Sequence, residues 1–426
     1  MSLVRRRALI AFATCADRAR EMLNHKGSFL FLIAFCGIVS LGPNTCLAQN
    51  SLAEFHQALS KASFTQTDFS ALGQNEAVVK LLPTRDKREV VVAGLVPLQA
   101  PAELFLQSFR ESMTRKNNPA ILEIGSFSNP PTLADLQFLT FEDRDLEDLK
   151  DCVVGNCRMK LSAMMIGRLK EVDWSASDYR AQATQLLKLM LLDYVRDYLV
   201  RGDAALIQYN DKQIPVRVAD EHRELSAALG RDLLADIPNY LNGVPPELPV
   251  VEHALVWSKI KFGLKPVIAI NHITIFRREQ KSGPQILVAS KQIYANHYFD
   301  SSLALTVFLN IPSAASGAHQ SYLFYENRSR ADGLGGVFSN LKRSMIENRA
   351  LDSVKAILHQ SRLSLEARAL NLPESATDTA GEGWSLKRWK VSRMQIFLLS
   401  LCFIAVLVLV GRRGYNWKIG ITGATQ

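Results

Sequence analysis

The chain has 426 residues, of which 48% are hydrophobic, and this excludes a disordered protein or a small disulfide framework. Its net charge of +9 arises at the two ends, since residues 1–48 carry six basic and two acidic side chains, and residues 387–426 carry seven basic and none acidic. The remaining 37 basic and 39 acidic residues lie in 49–386, so this region has no basic excess and we predict no nucleic-acid partner.

The first 48 residues have the order of a secretion signal. A basic region, residues 5–26, precedes an apolar stretch over residues 29–41, and small residues then allow cleavage after Ala48. An uncleaved membrane anchor is the alternative, because the basic region is unusually long for a signal. We therefore predict an exported protein whose folded part follows a polar lead-in over residues 49–77.

The next segment is rich in β-forming residues. Val78–Leu82 and Glu89–Val96 flank a polar turn and predict a hairpin. A short helix is predicted from Pro101 to Phe109, because Pro and Glu occupy its first turn. Ile121–Phe127 and Leu136–Phe141 are interpreted as two further strands.

The middle of the chain changes to helical periodicity. Apolar residues recur at helical spacing over Leu161–Leu169 and Ser177–Val200, with Ser177 placed to cap the second helix and Gly202 to end it. Residues 216–241 are interpreted as further short helices. Together these segments predict a helical insertion at about 150–240.

Cys152 and Cys157 are the cysteines that remain outside the predicted signal and membrane segments. Their close spacing and an oxidising compartment favour a local disulfide around the turn at residues 155–156. A redox-active pair is the less favoured alternative. No further Cys or His lies close enough in sequence to complete a metal site, so no metal is predicted.

The C-terminal half begins with a predicted helix, Val251–Phe262. Val267–Phe276 has apolar residues on both faces of a strand, which predicts that both faces are covered. The run Ile286–Leu309 is too long for one ordinary strand and is expected to bend near residues 296–302. Tyr322–Asn327 predicts another strand, and a long amphipathic helix is predicted from Phe338 to Leu370.

The end of the chain predicts a membrane anchor. A polar stalk over residues 371–393 precedes Met394–Gly411, an uncharged apolar run of spanning length, and residues 412–426 form a cytoplasmic tail. Basic residues flank the run on both sides, so charge alone does not orient it. The export signal places residues 49–386 outside, which predicts a single-pass protein of the cell membrane with a periplasmic or extracellular domain. A buried core helix is the alternative for this run.

The order of elements over residues 78–365 resembles the helix-grip order of the START-like lipid-binding superfamily. The resemblance implies an α+β fold in which a curved antiparallel sheet is closed by the long C-terminal amphipathic helix, within a domain at 78–370. It also implies a non-catalytic protein that binds an apolar ligand, a lipid or an isoprenoid, in a cavity between sheet and helix. The candidates for the cavity lining are Ile270, His272, Tyr294, Tyr298 and Phe324.

A second resemblance concerns the segment Ser290–Asp300, with Lys265-Pro266 before it and Arg328–Asp332 after it. These residues are similar to those of a family of uncharacterised exported bacterial proteins. This likeness implies the bacterial envelope and carries no activity.

Polar side chains are frequent in the C-terminal β region and suggest a second hypothesis. If His297 lies near Asp300 or Asp332, the carboxylate would orient the imidazole for proton transfer in a tethered enzyme. The favoured alternative is that Asp300 caps a strand bend and Asp332 forms an ordinary ion pair. The chain has no Gly-x-Ser-x-Gly, His-Glu-x-x-His or P-loop motif, and no cofactor is predicted. A scaffold domain without a ligand is the third hypothesis.

Overall fold

The computed structural model describes residues 64–74, 76–116, 119–229, 250–263, 265–280, 283–312, 319–334 and 339–371. All of them belong to one compact unit. The predicted signal peptide, the stalk beyond residue 371, the membrane helix and the tail lie outside these ranges. Within them, no helix is long and apolar enough to cross a bilayer.

The described residues form an α+β fold with a large antiparallel sheet, as predicted. The strands of the main sheet are β1 (Val78–Leu82), β2 (Glu89–Leu98), β3 (Ile121–Ser126), β6 (Val250–Ile260), β7 (Val267–Gln280), β8 (Gly283–Ala295), β9 (Phe299–Pro312) and β10 (His319–Ala331). Their order across the sheet is β1-β2-β10-β9-β8-β7-β6-β3. Strands β6 to β10 therefore form a meander, and the N-terminal hairpin joins it beside β10. A separate pair, β4 (Gln208–Tyr209) and β5 (Val216–Arg217), lies in the insertion.

Helices lie before, within and after this sheet. They are α1 (Gln66–Gly73), α2 (Ala102–Ser112), α3 (Asp143–Asp148), α4 (Ala163–Arg168), α5 (Tyr179–Arg201), α6 (Val218–Ala228) and α7 (Ser339–Ala369). The long helix α7 begins and ends within one residue of its predicted limits. Helix α5 ends at Gly202, which has a φ of 57°, as its position in the sequence predicted. Its N-cap is Asp178 instead of Ser177.

Helices cover both faces of the sheet. Side chains such as Val92, Ile273 and Phe308 contact Phe105 of α2 and Leu358 of α7, and we call this side the inner face. The opposite side, the outer face, packs against α5 and other parts of the insertion near β6 and β7, and against α1 and α6 further along the sheet. Strand β7 contributes apolar residues to both faces, which confirms the prediction that it is covered twice.

Gly94 on β2 allows close docking of α7 on the inner face. A Cβ atom at this position would lie 2.5 Å from Leu358 Cδ1 and 3.1 Å from Val354 Cγ1. Both of those helix residues are completely buried. The absence of a side chain at Gly94 therefore lets the helix approach the strand backbone.

Two predicted elements were wrong. Val251–Phe262 was expected to be helical, but it forms β6, in which both faces are buried and no clean alternation reveals the strand. Leu136–Phe141 was expected to be a strand, but the chain makes a 3-10 turn at Leu133–Leu136 and then runs irregularly. In both segments short apolar runs were ambiguous, and tertiary pairing decided the outcome.

Cys152 and Cys157, the predicted disulfide pair, lie at disulfide distance. They close a tight loop in which the Val153 amide donates to the Asn156 carbonyl and the Asn156 amide donates back. The loop is also joined to the β4–β5 region, because the Gly155 amide donates to the Asn210 carbonyl. The bond therefore fixes a local turn that other parts of the insertion already contact.

Candidate functional site

A band of neutral polar side chains crosses the inner face between two apolar clusters. We call it the polar band, and its members are Ser258, Asn271, Ser290, Gln292, Ser302, Asn327 and Ser329. They come from five adjacent strands, β6 to β10. Paired strand residues face the same side, so the register brings them together: Asn271 lies opposite Gln292, and Ser302 lies opposite Ser329.

Apolar residues border the polar band at both ends. On one side it meets the core that α2 and α7 share with the sheet, which includes Val92 and Ile273. On the other side it meets a smaller cluster that contains Val90, Ala269 and Leu334. A polar strip inside an apolar layer is unusual, because buried polar groups are unfavourable unless they form hydrogen bonds.

Three residues of the polar band, Ser302, Asn327 and Ser329, form hydrogen bonds with one another. Ser329 Oγ donates to Asn327 Oδ1 over 2.7 Å, Asn327 Nδ2 donates to Ser302 Oγ over 3.2 Å, and the two serine hydroxyls are 2.8 Å apart. These three residues form a closed triangle of hydrogen bonds. Each of their polar side-chain atoms therefore has at least one hydrogen-bond partner within the triangle.

The other part of the polar band is open. Ser258 is fully buried and Ser290 is 2% exposed, and the hydroxyl of each has no hydrogen-bond partner among the residues that the structure describes. The buried side chains of Asn271 and Gln292 lie between them. This part of the inner face therefore combines unpartnered hydroxyls with the amide groups of Asn271 and Gln292.

Uncharged residues surround the polar band. The inner-face positions of β2 and β6 to β10 next to it hold apolar or neutral polar side chains, such as Val90, Val256 and Ala304. The buried stripe of α7 that faces the sheet, including Ala350 and Val354, is also uncharged. Among the described residues, the strand positions next to the polar band and the fully buried residues of α7 are thus uncharged.

The five predicted cavity residues lie elsewhere. Ile270, His272 and Tyr294 are on the outer face, where they contact the helical insertion. Phe324 is also on the outer face, next to Phe64 at a ring-centroid distance of 6.5 Å. Tyr298 occupies the turn between β8 and β9, with a φ of 61°.

That turn explains why the predicted long run Ile286–Leu309 divides into two strands. Tyr298 adopts a left-handed conformation that is uncommon for a residue with a side chain. Its hydroxyl accepts a hydrogen bond from the Lys265 amide over 3.1 Å, and its ring packs on Phe262. These contacts hold the turn in place at the edge of the small apolar cluster.

The structure does not bring His297 to Asp300 or Asp332. Instead, His297 Nε2 lies 2.9 Å from Asp145 Oδ2, and both side chains are buried. Asp145 also accepts a hydrogen bond from Lys265 Nζ. Burial raises the pKa of Asp145, but the hydrogen bonds and charges of His297 and Lys265 outweigh this effect and hold the pKa below its usual value. His297 therefore belongs to a buried hydrogen-bonded pair that joins helix α3 to the turn after β8.

Asp300 and Asp332 do meet, but around a lysine. Lys160 Nζ, which is 3% exposed, lies 2.8 Å from Asp300 Oδ1 and 3.2 Å from Asp332 Oδ2. It also lies 4.9 Å from the ring centroid of Tyr209. Burial lowers the pKa of Lys160, but the carboxylates of Asp300 and Asp332 more than compensate and raise it. This arrangement is a buried ion cluster that links the insertion to the end of the sheet.

A histidine pair lies on the outer face. His272 Nδ1 is 2.8 Å from the Tyr198 hydroxyl, and His272 Nε2 is 3.0 Å from Nδ1 of the exposed His253. Burial lowers the pKa of His272 to about 3, so its imidazole is neutral. The neighbouring Lys291 is bonded to Asp203. No group of three or more potential metal ligands forms in the described parts of the chain.

The polar band was missed by the sequence analysis. The available signal was small polar residues at alternate positions of otherwise apolar strands, as in Ser290 and Gln292 or Asn327 and Ser329. Only the strand register shows that the pair on β8 and the pair on β10 lie on the same face of the sheet.

Comparisons of the chain with protein-family models, with curated proteins and with solved structures find no match. The structure shows an α+β protein with a large antiparallel sheet, and its polar band is the candidate site. The resemblance to the START-like superfamily stays a prediction.

Proposed function

We propose that this domain binds a small, mainly apolar molecule, a lipid or an isoprenoid, between the inner face of the sheet and helix α7, without catalysing a reaction. The observation that carries the proposal is the pair of buried hydroxyls, Ser258 and Ser290, with no partner among the described residues. A buried hydroxyl without a hydrogen bond costs about 1–3 kcal/mol. A ligand with a polar end and an apolar body would satisfy the Ser290 hydroxyl and pack against the apolar cluster beside it.

The proposal includes a membrane-tethered location outside the cytoplasm, in the cell envelope. The Cys152–Cys157 disulfide supports this part, because such bonds persist in oxidising compartments and are rare in the cytosol. The membrane is then both the anchor and the nearest source of an apolar ligand.

The enzyme hypothesis gains no support from the geometry. His297 is bonded to Asp145, and the carboxylates of Asp300 and Asp332 are bonded to Lys160. A scaffold domain without a ligand is the alternative that the following experiment addresses.

The test is recovery of a bound molecule from the purified full-length chain. The chain is incubated with a lipid extract, repurified and extracted, and the extract is analysed by mass spectrometry. The control is Ala304→Phe, because Ala304 is 1% exposed and lies beside Ser290 on the inner face, where a ring would occupy the proposed site.

We expect a molecule that is retained by the wild-type chain and lost from the variant, while thermal unfolding shows that the variant remains folded. Equal retention of the same lipids by both chains, or no retention by either, would contradict the proposal. It would favour the scaffold function.

A further inference from the structure

The chemistry of the polar band limits what kind of polar group the ligand carries. We infer that the ligand ends in an uncharged hydrogen-bonding group, such as a hydroxyl or a carboxamide, which lies on Asn271, Ser290 and Gln292. The inference rests on the proposed function, and it goes further by naming the ligand class.

The positions of the three residues define the place of contact. Asn271 and Gln292 are directly opposite each other on β7 and β8, and Ser290 is two residues from Gln292 on the same face. All three are at most 8% exposed. A hydroxyl and two amides offer both donors and acceptors, so they match a group that both donates and accepts hydrogen bonds.

Charge decides against an anionic group. Transfer of a carboxylate or phosphate into a buried site is strongly unfavourable without a counter-ion. The three buried lysines among the described residues are already bonded to carboxylates: Lys291 faces the outer side and binds Asp203, Lys160 binds Asp300 and Asp332, and Lys259 binds Glu142. The inner-face positions near the polar band supply no cation.

The apolar body of the ligand has one direction available. On one side of the polar band the small cluster with Val90 and Ala269 closes the end of the sheet. On the other side the larger apolar layer continues past Val288 and Phe308 and meets Leu358 of α7. A ligand with its polar end on the band therefore extends its apolar part along the helix.

The test compares three probes that differ only in the end group: hexadecanol, hexadecanamide and hexadecanoate. The full-length chain in detergent is equilibrated with each probe at pH 8, where the acid is ionised, and the retained probe is measured by mass spectrometry after repurification. We expect the alcohol and the amide to be retained at least ten-fold more than the carboxylate.

Variants show whether the polar band causes this preference. Ser290→Ala removes one hydroxyl and is expected to lower retention of hexadecanol about two- to ten-fold, the effect of one hydrogen bond. Ser290→Thr keeps a hydroxyl and is expected to restore retention. The matched control is Ser321→Ala, because Ser321 lies on the same face of β10 but bonds Asn310 and the Ala100 carbonyl, away from the band.

Each outcome has one meaning. Retention of hexadecanoate equal to or above that of hexadecanol overturns the inference while leaving ligand binding intact. Unchanged hexadecanol retention in a folded Ser290→Ala chain, compared with Ser321→Ala, also overturns it. If the wild-type chain retains none of the three probes but retains a molecule from the lipid extract, the inference fails and the proposed function stands. If it retains neither, both fail.

Discussion

At the residue scale, the buried ion cluster around Lys160 stabilises the end of the sheet. We predict that Lys160→Met lowers the free energy of unfolding by about 1.5–3 kcal/mol, because Asp300 and Asp332 lose their shared cation, although Asp300 keeps Arg88 at 3.3 Å and Asp332 keeps Lys212 at 2.6 Å. Urea unfolding monitored by circular dichroism measures this. Arg201→Met, which breaks an exposed pair with Asp197, is the control and should change stability by about 0–1 kcal/mol. A small effect of Lys160→Met would show that the cluster is solvated.

Buried histidines give the fold a predictable response to acid. His222 is 2% exposed, its Nε2 lies 2.7 Å from the Gln292 carbonyl, and its Nδ1 lies 3.1 Å from the Ser301 hydroxyl. Burial, together with the charge of Lys291, lowers the pKa of His222 to about 3. In the unfolded chain the pKa is about 6.5, so below this pH the unfolded state binds a proton that the folded state does not. Stability therefore falls as the pH falls.

The expected size follows from linkage. Each buried neutral histidine lowers the free energy of unfolding by up to about 1.4 kcal/mol for each pH unit of acidification between roughly pH 6.5 and 3. His222→Gln should remove one such contribution from the slope measured by urea unfolding between pH 7 and 5. His359→Gln changes an exposed residue of α7 and should leave the slope as it is in the wild-type chain. Identical slopes for His222→Gln and the wild type would mean that His222 is protonated in the folded protein.

At the level of elements, the docking of α7 depends on one glycine. Gly94→Val is expected to destabilise the fold by about 1–3 kcal/mol, because the new side chain would overlap Leu358 and Val354. Leu358→Ala in the same chain should recover part of this loss by making room, which thermal unfolding of the single and double variants would show. Gly73→Ala is the control, since no atom lies within 4 Å of a Cβ at that position. If the losses of stability in the two single variants simply add in the double variant, the destabilisation by Gly94→Val does not arise from contact with Leu358.

The same contrast explains which elements were predictable from the sequence. The hairpin β1–β2 and helix α7 carry local signals, a polar turn between β-rich runs and an apolar stripe at helical spacing. Strand β6 carries no such signal, because Leu255 and Trp257 pack on the outer face while Val256 packs on the inner face. Its identity depends on pairing with β7 and β3, which a single sequence does not reveal.

Sites depend on long-range pairing even more than strands do. The sequence analysis selected Asp300 and Asp332 as alternative partners of His297, but both bind Lys160, which is 140 residues before Asp300 in the chain. His297 meets Asp145, which lies 152 residues earlier. The polar band requires the register of five strands. Residue types were therefore recognisable as chemically active, whereas their partners were fixed by the tertiary fold.

At the scale of the whole molecule, the two covered faces have different roles. The outer face holds the larger part of the core and the buried ionic contacts to the insertion, including those of Lys160 and Asp145. The inner face holds the polar band beneath a layer formed by two helices. The ion pairs to the insertion therefore lie on one side of the sheet, and the proposed site lies on the other.

The location of the whole chain can be tested without knowledge of the ligand. We predict that bacterial alkaline phosphatase, fused after Asn371 at the end of the described helix, is active in whole cells, because this enzyme requires disulfides that form outside the cytoplasm. Export by the predicted signal at residues 1–48 is the cause. The same fusion without residues 2–48 should therefore lose its activity although it is produced. Equal activity of the two fusions would contradict the prediction that residues 1–48 are an export signal. An inactive full-length fusion would place residues 49–371 in the cytosol, where the Cys152–Cys157 bond would not be expected to persist.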